Sequence, residues 1–340
     1  MLDLTYEVLA KKKPEIKKRI DKLLDTAILK RYGKEWREVD VKPSEARVGG
    51  EDGSINHRRY KNLVVYAVNA AALVYDTKIK KKAHADVGIL YPYYQIEERL
   101  HLYRAIFELK ASLEVMDDVE LFLMDGSLLS DLKVLRTLEV GLSKAAKEEV
   151  LSLLPEIEKA EGVKIASIEL SKELGKEDFK EKVGFLEYVE YLSCLEKLIS
   201  RGIDKIAGIS KLSTRSIFGN GIPDLAIFEE VTSKAGFSKP KQDFVSKKFP
   251  VYDEFFRSLI FTITNIRLED RKDVFMLEVP REVDEDEVVS VMEKIRSVSV
   301  DGYPYLLQKA HKDVVIKNSD MEKIVSGLGI VEKTGREMLK

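Results

Sequence analysis

Val119-Glu120-Leu121-Phe122-Leu123-Met124-Asp125-Gly126-Ser127 decides the fold: an apolar run too short for a core helix, left by way of Asp-Gly-Ser. Such a run reads as a buried strand that ends in a turn. Immediately upstream the period changes. From Ile96 to Met116 the apolar residues Ile96, Leu100, Tyr103, Phe107, Leu109, Leu113 and Met116 recur at helical spacing and predict a long helix. Further back, one strand approaches Gly49, Gly50, Glu51 and Asp52. A second, rich in Val and Tyr, spans Leu63 to Tyr75, and a third spans His84 to Leu90. The order is strand, strand, strand, helix, strand.

Working outward, residues 5–31 read as a helix with Leu9, Ile16, Ile20, Leu23, Leu24 and Ile28 at three- and four-residue steps. Residues 130–200 are mostly helical, with a candidate short strand at Ile165–Leu170. Ile206–Ile209 reads as a strand that leads to Lys211 in a Ser/Thr-rich loop. Strands at Leu259–Ile266 and Val274–Val279 follow, then a helix over Glu285–Arg296. A last helix spans Tyr303–Val315, started by Pro304. The expected organisation is an N-terminal helical segment over about 1–40 and one compact domain over about 41–340 with a helical insertion at about 130–200.

Composition sets bounds. With 44% hydrophobic and 34% charged residues the chain is globular and ordered. The formal net charge of −2 announces no polyanion partner, yet basic residues cluster at Lys11–Lys13 with Lys17, Lys18 and Arg19, at Lys78 with Lys80–Lys82, and at Lys239, Lys241, Lys247 and Lys248. Local potential rather than net charge governs binding, though a single basic run is more often a solvated face. The one cysteine, Cys194, excludes an intrachain disulfide and a CxxC zinc site, and its apolar helical neighbours predict burial. No apolar stretch reaches the roughly 20 residues of a membrane span, and the charged N-terminus shows no signal peptide, so a cytoplasmic location is expected. There is no Walker A motif, no GxGxxG ahead of a helix, and no recognisable spacing among His57, His84 and His101.

The acids carry the chemistry. Asp52 follows the first strand, Glu108 lies on the long helix, and Asp125 ends the fourth strand. That placement is the layout of RNase H-like nucleases, a mixed α/β fold in which carboxylates distant in sequence converge. Phosphodiester cleavage needs an activated water and stabilisation of a leaving oxygen, both supplied by hard divalent cations on oxygen ligands. Converging acids without a cation would repel. Each acid alone has a blander reading, since Asp-Gly is a common turn and a helical glutamate is usually solvated. Two Asp-Gly-Ser triplets at strand ends, with a helix between them, shift the balance.

Gly50-Glu51-Asp52-Gly53-Ser54, Arg104 to Leu109, Phe122-Leu123-Met124-Asp125-Gly126-Ser127-Leu128, Gly208-Ile209-Ser210-Lys211, and Tyr303 with His311 occur in that order over most of the chain. Together they resemble the archaeal NurA nucleases. The resemblance implies that Asp52, Glu108 and Asp125 bind Mn2+ or Mg2+, two ions being expected, and that Tyr303 and His311 complete the catalytic set. His311 would be a further metal ligand or would hold the scissile phosphate. Glu114 competes with Glu108 for the helix position, and Arg104 ahead of Glu108 favours the latter. Lys211 is a candidate DNA phosphate contact or a plain surface lysine. The resemblance also implies a homodimer around a DNA channel, a HerA-type hexameric translocase as partner, and 5′-to-3′ exonuclease and single-strand endonuclease activity in DNA end resection. The lysine-rich N-terminal helix is a candidate partner-binding surface. Tyr91, Tyr93 and Tyr94 read as base-stacking groups or, beside Pro92, as structural ones. Two rivals stand beside this reading: a non-catalytic RNase H-like DNA-clamping subunit, in which the acids are turn residues, and a small-molecule phosphohydrolase using the same acids.

Overall fold

The computed structural model describes residues 2–23, 31–61, 63–134, 138, 141–218 and 221–330. The chain opens with helix α1 (Leu2–Leu23), whose side chains are exposed as far as Ile20. The helix expected over 5–31 therefore ends at Leu23, and Leu24 and Ile28 lie outside the described residues. Strand β1 (Trp36–Glu38) already belongs to the main sheet, so the sheet begins before the expected boundary at 40.

Three long strands follow: β2 (Val48–Arg59), β3 (Val64–Tyr75) and β4 (Ile79–Leu90), antiparallel in unbroken register. Helix α2 (Ile96–Leu113) crosses back, and β5 (Leu121–Asp125) enters parallel to β2, with Gly49 opposite Phe122 and Gly50 opposite Leu123. A helical segment comes next: α3 (Leu128–Val134), α4 (Lys144–Leu151), α5 (Leu154–Lys159), α6 (Ala166–Leu170) and α7 (Phe179–Gly202). The strand expected at Ile165–Leu170 is helix instead. The Glu190 carboxylate accepts from the N–H groups of Ala166 (2.9 Å) and Ser167 (2.8 Å), so an anion sits on the helix N-terminus.

Strand β6 (Ile206–Ser210) lies parallel to β5. After it come α8 (Asp224–Val231), β7 (Gly236–Ser238), β8 (Lys241–Phe244), α9 (Asp253–Ser258), β9 (Ile260–Arg267), β10 (Phe275–Val279) and α10 (Glu285–Ser297). A short ladder, β11 (Ser299–Val300) with β12 (Tyr303–Pro304), leads into α11 (Tyr305–Val314) and α12 (Asn318–Gly327). Tyr303 thus pairs with Val300 on a strand ahead of the helix. The sheet order is β1-β7-β9-β10-β6-β5-β2-β3-β4, with β8 also on β9. The mixed α/β class and the strand-strand-strand-helix-strand unit are as expected.

The strand pleat sorts the two cores. On β3, Val64, Tyr66, Val68 and Ala70 pack beneath α2 and α7, whereas Val65, Ala67 and Leu73 face α11 and α12. Helix α7 is buried on nearly every side, so its charged residues need partners. Arg99 of α2 meets Glu187 through two parallel bonds of 2.7 and 2.8 Å, and the Tyr103 hydroxyl donates to the same carboxylate at 2.6 Å. Lys110 of α2 meets Glu190 at 2.7 Å. These pairs fasten α2 to α7 on either side of Glu108. Arg99 also donates to the carbonyls of Tyr91 and Pro92, which gives that tyrosine-rich loop a structural anchor.

Candidate active site

Asp52 lies inside β2, not after it: Asp52, Gly53 and Ser54 stay in register with Ala71, Ala70 and Asn69. The first Asp-Gly-Ser is therefore strand, held straight by the apolar β3 ladder beside it. The second is a turn. Asp125 ends β5 and Gly126 takes φ +135°, a region that favours glycine. That turn is fixed by Glu278 of β10, whose buried carboxylate accepts from the Ser127 hydroxyl (2.8 Å) and the Leu129 N–H (2.9 Å).

Alternation on β2 sends Glu51 and Gly53 towards α2, and Gly50 and Asp52 towards α11. Two missing side chains let the helices close in. A Cβ at Gly53 would stand 2.6 Å from both Cγ and Oε1 of Glu108, so the glutamate lies against the strand backbone beside Asp52. A Cβ at Gly50 would meet Leu306 and Leu307 of α11 at 3.3 Å, and that close approach carries His311 to Asp52, Nδ1 to Oδ2 at 2.7 Å.

Asp52 and Asp125 thus stand where β5 stops and β2 runs on, and Glu108, on the α2 side, is near enough for repulsion among all three. Tyr303 and His311 stand on the α11 side. Lys211, just past β6, approaches Asp125 at 3.9 Å and lies over the Tyr303 ring, 4.2 Å from its centre. Glu114 is elsewhere, at the end of α2, bonded to His84 at 2.7 Å. His57 lies near Glu97 and does not join the site.

Sequence reading missed Glu51. It is buried, its Oε1 accepts from the Asp125 N–H at 3.3 Å, and its Oε2 has no hydrogen-bond partner. Its presence between glycine and Asp52 in a strand was the available signal. Glu278 was missed as well, although one glutamate inside Phe275-Met276-Leu277-Glu278-Val279 marks a buried carboxylate with a task.

The electrostatics are those of crowded anions. Burial, then repulsion from Glu108, Asp52 and Asp125, raises the Glu51 carboxyl well above the ordinary range. Burial also pushes Glu108 up to about 7, against the pull of Arg104 and with repulsion from Asp52, Asp131 and Asp125 adding to it. Asp125 is raised by burial, with Lys211 opposing. Burial and the neighbouring Asp125 and Asp52 keep the Tyr303 phenol protonated, and its buried hydroxyl has no hydrogen-bond partner.

The residues fit a hard divalent cation. All the donors are carboxylate oxygens, Glu51 has an unpartnered buried oxygen, and repulsion would be relieved by positive charge. Among the described residues no three acids or imidazoles already stand at ligand spacing. Each instead stands beside a basic group: Asp52 against His311, Asp125 near Lys211, and Glu108 3.4 Å from Arg104.

The NurA domain family model matches residues 46–316. The chain is 30% identical to the "Probable DNA double-strand break repair nuclease NurA" of Methanocaldococcus jannaschii, over 99% of this chain and 92% of that one. It is 28% identical to the DNA double-strand break repair nuclease NurA of Sulfolobus acidocaldarius, over 98% and 97%. The crystal structure of the NurA nuclease from Sulfolobus solfataricus superposes with a TM-score of 0.80 at 27% identity, covering 97% of both chains. A NurA crystal structure bound to dAMP and manganese shares the fold at 16% identity, with a TM-score of 0.66 over 99% of this chain and all of that one.

Proposed function

The chain belongs to the NurA family, and from that premise we propose that it is a divalent-metal-dependent DNA nuclease acting in double-strand break repair. The observation that supports the reading is the mutual repulsion of Asp52, Glu108 and Asp125 around the buried Glu51, with Glu108 lying against Gly53 and His311 bonded to Asp52. Asp52, Glu108 and Asp125 would hold the cation, manganese or magnesium, with Glu51 behind them. Once bound, it supplies Lewis acidity towards a phosphate oxygen and an activated water. His311 spends Nδ1 on Asp52, which leaves Nε2 available to a phosphate oxygen. Tyr303 offers a protonated hydroxyl that is spoken for by no other group. Lys211 brings a point charge that suits a phosphate.

The finer reading extends the family likeness: 5′-to-3′ exonuclease and single-strand endonuclease action on DNA ends, two metal ions, a homodimer around the strand, and a HerA-type hexameric translocase feeding it. Helix α1 supports a partner-binding role for the N-terminal segment, because Leu2, Leu4, Tyr6 and Leu9 are exposed alongside its lysines. Removing residues 2–20 should abolish translocase binding while leaving the remaining fold intact. Unchanged binding would count against that surface.

The test of the main reading is cleavage of end-labelled single-stranded DNA with manganese. The wild-type chain should cut, EDTA should stop it, and Asp52→Ala should be folded and inert. Equal cutting by both chains would place the chemistry elsewhere.

A further inference from the structure

A cavity of about 840 Å3 opens beside the acids, and Tyr303, His311 and Lys211 belong to both the cavity and the site. Its volume suits a nucleotide-sized group. Its lining is apolar at Pro223, Leu225, Val274 and Phe275, basic at Lys211 and Lys312, and acidic at Asp273 and Glu229, the last accepting from the Val274 N–H. Leu212 follows Lys211 directly, lines the same cavity, and is 94% exposed. An apolar side chain given up to water at the edge of an apolar recess lacks a partner of its own kind.

We propose that this cavity receives the base of the nucleotide next to the scissile phosphate, swung out of its stack, with Leu212 packing on the base. The inference rests on the nuclease reading and adds to it the requirement for an unpaired base. Charge orients the nucleotide: a phosphate is drawn to Lys211 and Lys312 and repelled by Glu229 and Asp273, so the uncharged base is the part that lies against Leu225, Val274 and Phe275. Continuity fixes the distance. Because Tyr303 and His311 line both spaces, a nucleotide whose base fills the cavity has its phosphate beside Asp52 and Asp125. A paired base cannot enter without leaving its partner, so single strands and frayed ends are favoured on structural grounds.

Ala226 offers the means to test this. It lines the cavity and is exposed, so Ala226→Trp fills the space without entering the core. Affinity is read by fluorescence anisotropy on the full chain in EDTA, with a labelled single strand that carries one abasic residue at successive positions. For the wild-type chain, one position should weaken binding about tenfold or more, the range for loss of one stacked base. Ala226→Trp should bind the intact strand that weakly and show no further loss with the abasic strand. Leu212→Ala, a change on an exposed loop that leaves packing untouched, should lose affinity in the same direction. Additive losses from Ala226→Trp and the abasic residue, or wild-type binding indifferent to every abasic position, overturn the cavity assignment. Cleavage with manganese is scored separately: absence of cutting by the wild-type chain overturns the nuclease reading while the binding result still judges the cavity.

Discussion

Gly49 and Gly53 sit on the same face of the same strand, and a Cβ at either would stand 2.6 Å from its nearest neighbour. Ordinary carbon contacts are about 3.5–4.0 Å, so in both cases something must move by roughly 1 Å. What moves differs. At Gly49 the obstacle is the Phe122 ring, with Val119 at 2.9 Å, both buried. At Gly53 it is the Glu108 side chain, which can swing away at the cost of its place beside Asp52. Gly49→Ala should therefore cost about 1–3 kcal/mol of stability, as overpacked cores do, and leave the folded fraction active. Gly53→Ala should cost less stability and much more activity, about 100-fold, which is what a misplacement near 1 Å costs at a catalytic centre. The assays are thermal melting in EDTA and manganese-dependent cleavage of end-labelled single-stranded DNA at equal folded concentrations. A Gly53→Ala chain with wild-type cleavage would refute the placement of Glu108 in the site. Identical losses of stability in the two variants would refute the distinction between core and site on this face.

Glu51→Gln should raise the melting temperature in EDTA at neutral pH, since it removes a buried carboxyl that must either take up a proton on folding or bear the repulsion of three neighbouring acids, and should shrink the gain on adding manganese; a lower melting temperature in EDTA would mean that the carboxyl is compensated. Arg99→Leu and Glu187→Leu should each cost about 3–5 kcal/mol by leaving a buried partner uncompensated, and the double variant should cost less than their sum; strict additivity in urea melts would deny the coupling. Cys194 is buried, and burial pushes its thiol up to about 12, so iodoacetamide at pH 8 should label it only as the chain unfolds. Rapid labelling of the native chain, followed by mass spectrometry, would contradict that burial.

Much of the sheet was legible because its strands carry their own period. Val64–Tyr75 is apolar on both sides and reads as a buried strand from any direction. Short elements set by long-range bonds were not legible. Ala166–Leu170 is helical because Glu190, 24 residues away, occupies its N-terminus. Trp36–Glu38 is a strand because Gly236–Ser238 lies beside it. The same holds in the site. Asp125 could be placed from its own turn, but the first Asp-Gly-Ser carries the same letters and is straight strand, since β3 dictates its backbone. Composition of a triplet does not encode which of the two it will be.

The site is built as much from missing atoms as from acids. The carboxyl ends of the parallel strands β5 and β6 open a crevice, the usual place for a ligand in an open α/β sheet. Asp125 and Lys211 stand there because each ends or follows such a strand. Asp52 is set there by the register of β2 on β5, whereas Glu108 and His311 arrive through close approach: α11 presses on Gly50, α2 sends Glu108 onto Gly53, and the turn at Gly126 crosses Gly208, where a Cβ would lie 2.8 Å from the Gly126 carbonyl oxygen. Side chains at these positions would hold the layers apart, and carboxylates that repel one another would then settle at greater distance. The anionic cluster is thus imposed by packing on both sheet faces, with α2 held by Arg99 and Lys110 to α7. It follows that the large helical segment between β5 and β6 bears on the proposed site in two ways, by fixing the helix that carries Glu108 and by setting Asp131 close enough to repel that carboxylate.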